Sequence, residues 1–317
     1  MNTNSNVYTV IYTTIVVVVV AAVLALVSQS LKSRQEANEK ADTVSQMLTA
    51  AGFGTKAEFG KMGNAAVLDK YASVLGEAFT INPSGEKVAD LPSGKVFSPK
   101  ELKALNYIIK DTEKALEAEL PVFVFNNGCT VVPIYGAGLW GPVWGYLSFD
   151  GAGTVTGAYF DHESETAGLG ARIKDDPSFQ AEFRGEKPVW DAPEESHIFE
   201  IVKGGSPKAA DGSEVLEDGR IDAITGATMT SNGLSDAINV WLRAYKAYFS
   251  AKAAVSACSI QEESCCCSGC EKSCCATCPC EKCCTSDDCK VSCGPECCSE
   301  QCGCCGEDCC KPNEVEE

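Results

Sequence analysis

Histidine and positive charge are both scarce in this chain. Only two histidines occur, His162 and His197, at a spacing that suggests no metal pair. No nucleophile elbow or comparable signature accompanies them, which removes the usual ground for hydrolase chemistry. Lysine and arginine number 26 against 44 acidic residues, a formal net charge of −18. Charge of that sign repels a phosphate backbone, so nucleic acid is excluded as a partner. No G-x-G-x-x-G run opens a βαβ unit, so a dinucleotide site is not expected here. Neither an aromatic residue nor a histidine follows Phe249, while 20 of the 21 cysteines lie between Cys258 and Cys310. A stretch of that composition cannot bury an ordinary core.

What is present falls into three regions. Residues 7–27 carry no charge, and a run of about twenty apolar residues is long enough to span a bilayer as a helix. A cleaved signal peptide has a shorter apolar core, about 7–15 residues, behind a basic start. None of residues 2–6 is basic, so the expectation is a retained transmembrane helix over 7–30. Lys32, Arg34 and Lys40 follow the span and by the positive-inside rule point the main domain to the cytoplasm, but Glu36 and Glu39 dilute that signal.

Residues 31–250 read as a folded domain. Ala41, Val44, Met47, Leu48 and Ala51 recur at helical spacing, so a helix should continue beyond the span. Ser98-Pro99-Lys100-Glu101 has the cap, the first-turn proline and the third-position glutamate of a helix start, with Leu102, Leu105, Ile108, Ile109, Thr112 and Leu116 as its buried stripe. PVFVFNNGCTVVPIYG places two β-rich runs around Asn127-Gly128, and GYLSFDGAGTVTGAYF another pair around Asp150-Gly-Ala-Gly153. Two hairpins imply an antiparallel sheet. With helices before and after it the class is α+β: an N-terminal transmembrane helix, an antiparallel-sheet domain with flanking helices, and an irregular Cys-rich tail over 251–317.

Three small-residue motifs carry the chemistry: GLWGPVWGYLSF from Gly138, ESETAGLGARI from Glu163 and DAITGATMTSNG from Asp222. Each has a bland reading. Trp140, Trp144 and Tyr146 suit a core, Gly168-Leu-Gly170 suits a turn, and the hydroxyls of the third motif suit caps for a helix starting near Thr230 to Asn232. A helix start reached through small residues also suits a phosphate. Together the motifs fit a single job, with apolar surface for a flat ring, a Gly-rich loop for close backbone approach, and a helix start for a phosphate. That combination describes a flavin mononucleotide (FMN) site. Leu234, Ala237, Ile238, Trp241, Tyr245 and Phe249 form the stripe that would fasten the helix to the sheet.

Over about residues 7–250 the chain resembles the C subunits of sodium-translocating NADH:quinone oxidoreductases, and more distantly the G subunits of Rnf electron-transport complexes. The resemblance rests on VPIYGAGLWGPVWGYLSF, ETAGLG and DAITGATMT. It implies that Thr228 carries FMN through a phosphoester, with Asp222, Thr225, Gly226 and Ala227 as the recognition sequence of a flavin transferase that uses FAD and a divalent metal. Glu165, Thr166, Gly168, Leu169 and Trp140 would lie at the FMN. The family usually has Pro where this chain has Ala167, so a looser loop is expected. The implied function is a one-electron carrier within a sodium-pumping NADH:quinone oxidoreductase, with its NADH site on another subunit. It would be single-pass in the cell inner membrane, its main domain on the periplasmic side, and would work beside the other subunits of the complex. The rival readings are the Rnf G subunit and a metal-buffering envelope protein.

The tail is not part of that family pattern. Adjacent thiols and C-x-x-C units among Cys265, Cys266, Cys267, Cys270, Cys274, Cys275, Cys278, Cys280, Cys283 and Cys284 look like metallothionein, with zinc or another soft metal in place of a core. Disulfides and a tail without a defined role are the alternatives. The ferredoxin cysteine spacing is absent. The tail holds 5 lysines against 13 acidic residues, which again disfavours nucleic acid.

Overall fold

The computed structural model describes residues 6–111, 113–193, 195–204 and 219–260. Helix α1 runs without a break over Asn6–Ala50. No glycine or proline interrupts it, and it ends where Gly52 adopts φ +79° and the Phe53 N–H reaches back to Leu48 O at 2.9 Å. The helix therefore passes straight through the expected boundary at residue 30. Its apolar first part is exposed, and it is the one helix among the described residues long and apolar enough to cross a membrane. Burial begins at Ala41, on the side that carries Val44, Met47 and Leu48.

Helices α2 (Lys56–Phe59) and α3 (Asn64–Val74) follow, and α3 packs on α1. Strands β1 (Leu75–Ile81) and β2 (Lys87–Asp90) then form a hairpin that the sequence pattern did not announce. Helix α4 (Pro99–Lys110) has the expected capping box: the Ser98 hydroxyl accepts from Glu101 N–H, and the Glu101 carboxylate accepts from Ser98 N–H at 2.8 Å. Its stripe is shorter than expected. The helix stops at Lys110 because the Asp111 carboxylate accepts from the N–H groups of Glu113 and Lys114 and turns the chain. Leu116, expected to be buried, is 79% exposed in a short 3-10 turn, and Thr112 lies outside the described residues.

Strands β3 (Leu120–Phe125), β4 (Thr130–Ala137), β5 (Pro142–Phe149) and β6 (Val155–His162) make both expected hairpins. The sheet order is β2-β1-β3-β4-β5-β6, antiparallel throughout. Gly136-Ala-Gly138-Leu-Trp-Gly141 has the spacing of a dinucleotide fingerprint, but it lies in the β4–β5 hairpin with no helix after it. Short helices α5 (Arg172–Asp175) and α6 (Pro177–Ala181) lie on β6. Two strands that no sequence pattern marked, β7 (Glu200–Val202) and β8 (Arg220–Asp222), pair in parallel, and α7 spans Thr228–Ile260.

Side chains alternate between the sheet's two faces, and each face has its own core. Val122, Val132, Ile134, Leu147 and Phe160 pack with α4 and α7, whereas Phe123, Val131, Tyr146 and Tyr159 pack with α1 and α3. Burial on both sides explains why strand runs such as LPVFVF read as almost continuously apolar. The whole expected stripe of α7 is buried. Its indole Trp241 donates to Tyr135 O at 2.8 Å and to Asn106 Oδ1 at 3.1 Å.

Candidate functional site

The third motif begins at the end of β8 and turns sharply into α7. The Ala227 N–H donates to Ile224 O at 3.0 Å, closing a tight turn whose third residue, Gly226, has φ +83°. Only glycine adopts that backbone freely, and a Cβ there would also lie 3.1 Å from Leu169 Cδ2. Ser231 Oγ accepts from Ile224 N–H at 3.1 Å, and Ser231 N–H donates to Ala227 O at 2.9 Å. The helix consequently starts at Thr228, two residues before the expected start. Thr228 is exposed within the first turn, where backbone N–H groups lack helical partners.

The second motif, after β6, is closed from inside by the N–H groups of Leu169 (3.1 Å) and Ala171 (3.0 Å) donating to Thr166 O. Ala167, Gly168 and Leu169 stay exposed. Gly170 is required by close approach: a Cβ would lie 2.4 Å from Glu165 Oε2 and 2.6 Å from Thr230 Oγ1.

Glu165 joins all three motifs. Its carboxylate is buried; Oε1 accepts from Trp140 N–H at 3.0 Å and Oε2 from the Thr230 hydroxyl at 2.7 Å. Ser164 Oγ donates to Trp140 O at 2.9 Å and fastens the same hairpin loop from its other side. The Glu165 N–H donates to His162 Nδ1 at 3.1 Å. Charge-assisted bonds of this kind are short and directional, so segments far apart in sequence meet at one point. The family resemblance implied that Glu165 lies at the FMN, and its two carboxylate oxygens are engaged by protein donors.

Around this junction Trp140 is 67% exposed, Met229 62% and Leu169 43%. Trp140, the one aromatic expected at the FMN, is exposed, whereas Tyr146 of the same motif is buried and Trp144 half-buried. Met229 was not anticipated from sequence. Its signal was an apolar side chain at the start of a helix yet outside the buried stripe of α7. The positioning parts of Thr230, Ser231 and His162 were not anticipated either. Asp222, Thr225 and Thr166 are exposed, and Ala227 is buried. Beside the loop the Tyr135 phenol is held above its ordinary pKa, first by burial and then by the Glu163 carboxylate, so it stays neutral. His197 lies elsewhere and pairs with Glu200 at 3.1 Å. The ten tail cysteines named as candidate metal ligands lie outside the described residues.

These residues fit a flavin mononucleotide. Exposed apolar side chains suit the faces of a flat ring, Gly226 lets backbone come close, and the first turn of α7 offers N–H groups to a phosphate. Comparison with known proteins agrees. The FMN-binding domain family matches residues 138–243, a segment containing all three motifs. The C subunit of the Na(+)-translocating NADH-quinone reductase of Chlamydia caviae is 31% identical over 204 residues, 57% of this chain and 63% of that protein. The alignment thus spans less than two thirds of that relative. The corresponding C subunit of Vibrio vulnificus is 27% identical over 226 residues, covering 67% of this chain and 81% of that one. The solved structure of the C subunit from Parabacteroides distasonis is 32% identical, covers 69% of this chain and 96% of that one, and superposes with a TM-score of 0.52. The motifs, their convergence on Glu165 and these likenesses agree that the chain belongs to the family of C subunits of the Na(+)-translocating NADH-quinone reductases.

Proposed function

We propose that this chain is a membrane-anchored electron carrier that holds FMN covalently on Thr228 and passes single electrons between neighbouring redox centres of a sodium-translocating NADH:quinone oxidoreductase. The observation that carries this reading is the Glu165 junction, which brings exposed Trp140 and Leu169 to the start of the helix that presents the Thr228 hydroxyl. FMN supplies the reversible electron chemistry when bound, and the protein sets its position and surroundings. Trp140, Leu169 and Met229 offer apolar surface to the ring. The first-turn N–H groups of α7 and the positive end of its dipole offset the phosphate charge. Asp222, Thr225 and Gly226 lie exposed where a flavin transferase would read them, and buried Ala227 anchors the turn beneath them.

Three further assignments belong to this reading. Residues 7–30 span the membrane, residues 31–250 form the flavin domain on the periplasmic side of the inner membrane, and the tail follows from residue 251, its first ten residues continuing α7 to Ile260 and not irregular as expected. The exposed apolar start of α1 supports the first. Protease accessibility in spheroplasts tests the second. For the tail, adjacent thiols and C-x-x-C units support binding of zinc or another soft metal, tested by metal retained on the protein after expression with zinc.

The cofactor assignment is tested by flavin fluorescence on a denaturing gel, with the chain expressed in a host that has the transferase. A fluorescent band that disappears in Thr228→Ala supports it. A dark wild-type band overturns it.

A further inference from the structure

We propose that Gln46 and Asp161 are positioning residues, whose buried contact fixes the angle at which the flavin-bearing face stands to the membrane helix. The proposal rests on the readings that α1 spans the membrane and that Thr228 carries FMN.

The first part of the argument is mechanical. Helix α1 is continuous from its apolar start to Ala50, so the direction of the span is transmitted into the domain. Its last turns lie on β5 and β6, on the sheet face opposite α7. At Gly157 the approach is so close that a Cβ would lie 2.4 Å from Ala50 O. Further back along α1, Gln46 Nε2 donates to Asp161 Oδ2 at 2.9 Å and to Asp42 Oδ2 at 2.8 Å. Asp161 Oδ1 accepts from the Lys174 ammonium and from His162 N–H, both at 2.8 Å. The next residue, His162, takes the Glu165 N–H, and Glu165 holds Trp140 and Thr230. A chain of hydrogen bonds thus runs from the stem of the membrane helix to the first turn of α7.

The second part is energetic. Gln46 is 2% exposed and Asp161 4%, and Gln46 Oε1 is buried without a hydrogen-bond partner among the described residues. An unpaired buried carbonyl is a cost that leucine at the same position would avoid. Apolar replacement of buried polar contacts is often neutral or stabilising, so stability alone does not account for this pair. Direction does. The two carboxylates only accept, so the amide is held in a single orientation, and helix and strand meet in one register. An apolar contact could slide. For a carrier that must meet a redox centre at fixed depth in a membrane complex, a constant tilt of the ring is a functional requirement.

The test uses the full chain, matured with the flavin transferase and reconstituted into oriented bilayers, and reads the linear dichroism of FMN absorption. Gln46→Leu/Asp161→Leu removes the polar pair while leaving Lys174 half-exposed and hydrated, and Gln46→Met is a milder second variant. Wild type is expected to show a well-defined dichroism. Both variants should keep FMN on Thr228 by peptide mapping, stay folded at the temperature of the measurement, and lose roughly half or more of the dichroism as the contact becomes free to slide. If the double variant does not fold, Gln46→Met alone decides. Unchanged dichroism overturns the proposal, as does a loss that tracks only unfolding. Wild-type protein without FMN on Thr228 is a different failure, seen in the mapping, and overturns the cofactor reading and this inference together.

Discussion

Two long helices cover opposite faces of one sheet, and they do it with different chemistry. Helix α7 buries Leu234, Ala237, Ile238, Trp241, Leu242, Tyr245 and Phe249, with the Trp241 and Tyr245 rings stacked and Phe249 edge-on to Tyr245. The buried turns of α1 mix Val44, Met47 and Leu48 with Thr43, Ser45 and Gln46. Aromatic burial supplies most stability per residue and says little about angle, whereas buried hydrogen bonds add little net stability and fix geometry. Helix α7 adds hydrogen bonds from Trp241, Tyr245, Asn239 and Thr230 to that aromatic burial. Helix α1 buries no aromatic residue, and its amide Gln46 reaches the sheet at Asp161.

Substitutions on the two faces should therefore differ in kind. The largest effect expected is from Thr228→Ala, which should abolish covalent flavin completely while the melting curve stays near wild type, because the side chain is exposed. Next is Trp241→Ala on the α7 face. Truncating a fully buried tryptophan costs about 3–5 kcal/mol, and here it also leaves Asn106 Oδ1 and Tyr135 O without their shared donor. Urea unfolding measures the loss. Gly170→Ala should cost about 1–3 kcal/mol through overpacking, and because the new methyl pushes on Glu165 and Thr230 it should also slow flavin loading on Thr228. Gln46→Leu on the α1 face takes the amide donor from the buried Asp161 Oδ2 and should cost about 1–3 kcal/mol, less than Trp241→Ala. A cost there like that of Trp241→Ala would erase the contrast.

The smallest effect is electrostatic. Hydrogen bonds from Ser178 and Arg172 hold the Asp176 carboxyl at about 2, below its ordinary 3.8. A depressed folded-state pKa means that the contribution is present above 3.8 and is lost as pH falls through about 2. Asp176→Asn should flatten the stability profile across that window, measured by thermal melts between the two values. The group is half-buried at the surface and partly screened by solvent, so the change should be slight.

Much of this architecture was legible in the chain. The Ser98–Glu101 capping box, both hairpins and the buried stripe of α7 follow from local rules, and local rules are what sequence carries best. Strand β2 was not legible because KVAD is exposed at every position and has no apolar alternation to show. Strands β7 and β8 are three residues each, too short for any period. The stripe of α4 was read past its end because Leu116 kept the helical spacing after Asp111 had already turned the chain. At the site, the motif resemblance singled out Thr228, and small residues around it pointed to close approach. The junction was invisible, since Glu165 meets a hydroxyl 65 positions away, and no local pattern specifies a pairing at that distance. The start of α7 was misplaced for a related reason: Ser231 and Thr230 look like caps, but their hydroxyls serve the preceding turn and Glu165.

The central claim is that the Thr228 oxygen carries FMN. The most direct test is peptide mapping by mass spectrometry of the chain isolated within its assembled, active native complex. The expected result is a peptide containing Thr228 that is heavier by one FMN esterified to that residue, with neighbouring Thr225 and Thr230 unmodified. Recovery of the same peptide at its unmodified mass from active complex would contradict the account.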